Sequence, residues 1–218
     1  MSADLTTVML THNRVELALH TLRPADDRNL LLLHGLGEAS PTSVPRFAGC
    51  WSGGVHALDF TGHGASSLPV GGGYTAEMLL ADVDMAIRHL GPVTVVGRGL
   101  GAYIALLIAG ARAVDVRGAI LVDGPGMSGG PTSPTSQPVV TAESVDTTPD
   151  PYAILELGRD LRPPDYATSF VRLANEGSGL DEPITVTAKF RPRWLRAVVD
   201  EPGVREMSSL ADALARYG

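Results

Sequence analysis

Three short stretches of the chain hold most of the side chains and backbone turns able to do chemistry. The first reads LLLHGLG, where an apolar run meets His34, Gly35, Leu36 and Gly37. Glycines at the end of a strand let the backbone turn sharply with its N–H groups exposed, and such amides bind an anion or an oxyanion. The second reads DFTGHGAS. Asp59 and Ser66 are placed to cap local backbone, and His63 stands between two glycines. A histidine there serves as a ligand, as an acid/base group, or as a hydrogen-bonding brace for the turn, the brace being the simplest of the three. The third reads VVGRGLGAYIALLIAG: a strand, a glycine-rich turn and an apolar helix. Gly97, Gly99 and Ala102 fit the dinucleotide pattern G-x-G-x-x-A, with Asp123 about 20 residues on, where a ribose-binding acid stands. The same residues fit a G-x-S-x-G nucleophile elbow in which Gly99 replaces the serine.

The elements that must position these turns alternate along the chain. Short apolar runs at 8–11, 15–22, 30–33, 55–59, 93–96, 119–122, 184–187 and 195–199 read as strands. The first two lie close together around His12, Asn13 and Arg14, as a hairpin would. Helical periodicity follows at 75–90, with Thr75 as cap and Leu79, Val83, Ile87 and Leu90 on one face. The stretch 102–113 is apolar nearly all round and is expected to be buried. Further helices are expected at 152–157, 164–174 and 204–217. Strands alternating with helices predict an α/β fold: a mostly parallel sheet of about eight strands, flanked by helices. The segment 124–151 is rich in Pro, Gly, Ser and Thr and reads as an excursion or lid within one domain spanning 1–218.

Composition narrows the classes of function. With 17 basic and 24 acidic residues the formal net charge is −7, which disfavours a nucleic-acid partner. A single cysteine excludes an internal disulfide and any C-x-x-C metal or redox motif, and Cys50 reads as a small buried hydrophobe. The N-terminus has neither a basic region nor a continuous apolar core, so no signal peptide is expected. Arg98 and Arg112 interrupt the most apolar stretch, which reads as a buried strand and helix and not as a membrane span. A cytoplasmic protein without cofactor or metal is the expectation.

Taken in order, the three motifs resemble the α/β-hydrolase superfamily, and the resemblance covers essentially the whole chain. HGLG is similar to the oxyanion loop after the third strand, DFTGHGAS to the turn after the fourth, and VVGRGLGAYIALLIAG to the elbow and helix after the fifth. Two family-like turns precede the Gly97–Ala102 turn, which argues against a dinucleotide-binding domain.

The resemblance implies an oxyanion hole built from the Leu36 and Leu100 amides, but it does not carry the catalytic residues across. Gly99 stands where the family has its nucleophile. No histidine follows His89, although the family's base follows the last strand, expected here near residue 203. The turn after the seventh strand, Lys189 to Arg193, lacks a carboxylate, so only Asp123 after the sixth stands in as an acid. Losing the serine alone from such a triad costs on the order of 10⁶ in rate. The expected function is therefore a non-hydrolytic relative, a pseudoenzyme, binding a small apolar ligand or a protein partner above Leu36, Gly99 and Leu100. The alternatives are an acid/base enzyme, lyase-like, using His34, His63 and Asp123 with Asp59 beside them, or a nucleotide-binding protein. A homo-oligomer is compatible with all of these.

Overall fold

The computed structural model describes residues 5–12, 14–25, 27–131, 142 and 146–218. Its eight strands are β1 (Thr6–His12), β2 (Val15–Arg23), β3 (Asn29–Leu33), β4 (Val55–Leu58), β5 (Val93–Arg98), β6 (Val116–Val122), β7 (Ile184–Val186) and β8 (Val204–Glu206). They form one sheet in the order β1-β2-β4-β3-β5-β6-β7-β8. β1 and β2 pair antiparallel, as does β2 with β4, and every other pairing is parallel. The expected α/β sheet is present. Parallel strands need both faces covered, which is why β3, β5 and β6 are apolar at nearly every position.

Successive residues of a strand point to opposite faces. Leu31, Leu33, Val95, Ala119 and Leu121 join one apolar core with α1 (Ala76–Leu90), α2 (Leu100–Ala111), α4 (Pro164–Gly177) and α5 (Arg193–Val199). Leu30, Leu32, Val96 and Ile120 face a thinner layer, made of a 3-10 turn (Arg46–Cys50) and α6 (Leu210–Ala215). α3 (Pro151–Arg159) lies on the thicker side, contributes Ala153 and Leu157 to its core, and is tied by Glu156 to the Gly73 and Tyr74 amides. Thr75 caps α1 as expected, its hydroxyl accepting from the Met78 amide at 3.2 Å.

The C-terminal third differs from the sequence expectation in two elements. Residues 195–199, expected as a strand, lie in α5. Trp194, Leu195 and Val198 are its buried residues, spaced as one helical face, and a short apolar run does not by itself distinguish helix from strand. The expected helix 204–217 is instead β8 followed by α6. β8 pairs with β7, and the Ser209 hydroxyl starts α6 by accepting from the Asp212 amide. Cys50 is exposed, not buried, because the 3-10 turn ends there and turns its thiol outward, 3.4 Å from the Phe47 carbonyl. Asn13, in the expected hairpin turn, and residues 132–141 and 143–145 of the expected excursion lie outside the described residues. Among the described residues no helix is long and apolar enough to cross a membrane.

Candidate functional site

The C-terminal ends of β3, β5 and β6 meet at the turn before α2. Gly99 sits there at φ +60°, ψ −116°, a positive φ that side chains other than glycine's rarely accept. The amides of Leu36 and Leu100 both point at one acceptor, the Pro125 carbonyl oxygen, at 3.1 and 2.8 Å. The two donors anticipated from the sequence therefore converge, and their shared acceptor is the protein's own backbone. A Cβ added to Gly99 would lie 2.5 Å from the Gly124 carbonyl carbon and closer still to the Pro125 oxygen. The space a nucleophile's side chain needs is filled by the start of the Pro/Gly-rich segment.

That strap, residues 124–131, is held in place. Arg162, 1% exposed, donates from its Nη1 to the carbonyls of Gly126 and Met127. Its guanidinium lies 4.8 Å from the centre of the Tyr103 ring. Burial pulls its pKa down to about 10, so it stays charged at neutral pH. Trp194 Nε1 donates to the same Met127 carbonyl at 2.8 Å, and the Gly130 amide donates to the Asp160 carbonyl at 2.8 Å. Pro125, Arg162 and Trp194 were not expected as site residues. Their part depends on backbone carbonyls brought together from distant positions, which no local pattern records.

The two candidate histidines lie close together, ring centres 5.1 Å apart, but both nitrogens of each hold backbone. His34 Nε2 accepts from the Phe60 amide at 3.1 Å, and its Nδ1 donates to the Gly35 carbonyl at 2.8 Å. His63 Nε2 accepts from the Gly37 amide at 3.2 Å and its Nδ1 donates to the Thr61 carbonyl at 3.2 Å. These bonds require neutral rings. Burial, with the nearby His63 next, takes His34 down to about 4, and burial lowers His63 as well.

Asp59 is tied to its own turn: it accepts from the Ser40 amide at 2.7 Å, the Ala65 amide at 2.8 Å and His20 at 3.0 Å. Burial raises its pKa, but the bonds from His20, Ala65 and Ser40 outweigh that and leave it below the usual value. Asp123 accepts from the Lys189 and Phe190 amides at 2.7 and 2.9 Å, joining the end of β6 to the turn after β7. Glu38 and Arg98 form a two-pronged pair across the β3 and β5 turns, and Arg98 also donates to the Asp123 carbonyl at 3.0 Å. With β8 at Val204–Glu206, the turn after the last strand begins Met207-Ser208-Ser209. Among the described residues no group of three or more His, Cys, Asp or Glu is placed to hold a metal ion.

The family model described as "Alpha/beta hydrolase family" matches residues 30–217. A thioesterase domain from the curacin biosynthetic pathway superposes with a TM-score of 0.65 at 18% identity, over 99% of this chain and 98% of that one. A membrane phospholipase A, a bacterial virulence factor, superposes with a TM-score of 0.56 at 19% identity, over 94% and 78%. An epoxide hydrolase from Vigna radiata aligns over 60% of this chain and 43% of its own, with 20% identity and a TM-score of 0.48. A comparison with the curated proteins found no match.

Proposed function

The chain belongs to the alpha/beta hydrolase family, and from that premise we propose that it is a non-hydrolytic member, which binds a small apolar ligand or a protein partner. The observation that carries this reading is the Pro125 carbonyl oxygen, bound by both the Leu36 and Leu100 amides. An oxyanion hole alone retains roughly 10³–10⁴ over water when the triad is gone. Here even that residue of catalysis has no open seat, and Gly99 offers no nucleophile. The acid/base alternative is weakened by the same geometry, since His34 and His63 have no ring nitrogen left for a substrate.

The test is a panel of p-nitrophenyl acyl esters of increasing chain length. The expected result is no release above the buffer rate. Turnover that co-purifies with the protein and disappears in Leu100→Pro, which lacks the amide donor, would sink the proposal.

A further inference from the structure

From the sequence the ligand is expected above the strand ends, at Leu36, Gly99 and Leu100, where the strap lies. On the thinly covered face of the sheet is a cleft of about 410 Å³. Its floor is Leu32 and Val96, paired in the register of β3 with β5, and Val122, two residues along β6 from Ile120, the partner of Val96. Its walls are Pro45 and Phe47, at the 3-10 turn, and Leu210, the first residue of α6. The cleft exists because, among the described residues, the helical cover of this face is two short pieces, five and six residues long.

We propose that this cleft is the ligand site, and that it takes an uncharged, hydrocarbon-rich small molecule. This rests on the non-hydrolytic reading above and deepens it. The volume falls within the roughly 300–1,000 Å³ range of small-molecule pockets. The wall is also built to stand open. Pro41 and Pro45 fix the backbone of the loop that forms it. The Ser40 amide is anchored on the Asp59 carboxylate at 2.7 Å, and Glu38 is clamped by Arg98. A wall anchored at Glu38 and Ser40 and stiffened by Pro41 and Pro45 resists collapse onto the floor.

The chemistry of the rim sets the class of ligand. Among the described residues, the polar ones that line the cleft are His34, Glu38 and Arg98. His34 bonds backbone through both nitrogens, and its ring is neutral, with a pKa near 4. Glu38 and Arg98 neutralise each other, and Arg98 Nη1 holds the Asp123 carbonyl. Among the described residues that line the cleft, no unpaired charge is therefore left to recompense a carboxylate, phosphate or ammonium for leaving water.

The experiment uses the full chain and the neutral fluorophore N-phenylnaphthylamine, titrated to a blue-shifted plateau and then displaced by decanol or decanoate. Wild-type protein binds the fluorophore, decanol displaces it, and decanoate is at least tenfold weaker. Ala39→Trp and Leu210→Trp, which fill the cleft from two sides, each weaken binding tenfold or more. Val70→Trp, at a fully exposed position, leaves it unchanged. Circular dichroism identifies any variant that fails to fold, and Ala39 is exposed enough to accept the larger ring. Wild-type protein that does not bind, or binding untouched by both cleft variants, overturns the proposal. Equal displacement by decanoate overturns the uncharged class. A dimer in light scattering that Ala39→Trp dissociates shows a second copy in the cleft, and also overturns it. None of these outcomes depends on ester turnover, so the site can fail while the non-hydrolytic reading stands.

Discussion

Gly99 has two reasons to be glycine: its positive φ and the Pro125 oxygen lying where a Cβ would stand. Gly99→Ser is expected to lower stability by about 1–3 kcal/mol through strain alone, with the steric conflict added. It is also expected to yield no esterase. A urea midpoint equal to wild type, or turnover of an acyl ester, would contradict this. The buried histidines give a pH signature. His34 has a folded pKa near 4 against 6.5 for the free side chain, so the unfolded chain takes up the proton first. Stability is then at its full value above about 6.5 and falls as pH drops toward 4, by roughly 3 kcal/mol at most from this residue. Asp82 works in the opposite sense. Burial raises its pKa to about 7, against the pull of Thr61, which donates to it from amide and hydroxyl at 2.9 and 3.0 Å. Its contribution is present at low pH and is lost as pH rises from about 4 to 7. Asp82→Asn removes the opposing slope, so acid destabilisation between pH 7 and 4 becomes steeper than in wild type. Urea titrations at several pH values read this directly. These roles were only half legible in the sequence. HG and GHG identified the turns, but which atom each ring nitrogen meets depends on Phe60 and Gly37, contributed by different turns.

Among the elements, the strap has the clearest experimental handle. Arg162→Met removes the donor to the Gly126 and Met127 carbonyls while keeping an unbranched side chain. The Leu36 and Leu100 amides, protected by Pro125, are then expected to exchange hydrogen at least tenfold faster, with the central strands unchanged. Equal protection in the variant would mean that Trp194 and Gly130 hold the strap unaided. α6 offers a smaller test: Ser209→Ala removes its cap and costs about 1 kcal/mol in thermal or urea unfolding. The elements most legible in advance were those with long or strongly patterned apolar runs: the hairpin, β3, β5, α1 and α2. Those misread, α5 and β8, are seven and three residues long. A stretch of that length carries too few turns or alternations to show its period, and its state is decided by the neighbour it packs on. For β8 that neighbour is β7.

In the whole molecule, one sheet divides two apolar layers of unequal thickness. Each layer holds one of the protein's two tryptophans: Trp194 in the thicker, Trp51 in the thinner. Because both layers pack on the same strands, neither is expected to persist alone. Trp51→Phe and Trp194→Phe leave one reporter each, and their fluorescence transitions in urea should coincide with each other and with the loss of far-ultraviolet dichroism. Separated midpoints would show that one layer opens before the other. The order of the fold was readable because each motif follows its own strand. The location of open space was not, since it depends on how short the helices over the second face turned out to be. The strap has a further consequence, for evolutionary reversibility. Restoring a nucleophile at position 99 while Pro125 remains in place meets a steric conflict, and moving the strap first exposes two amides with no chemistry to serve. On the proposed non-hydrolytic reading, neither single change brings hydrolysis by itself, so gaining it needs the two together. On that reading, one backbone carbonyl bars the position as firmly as the absent side chain does.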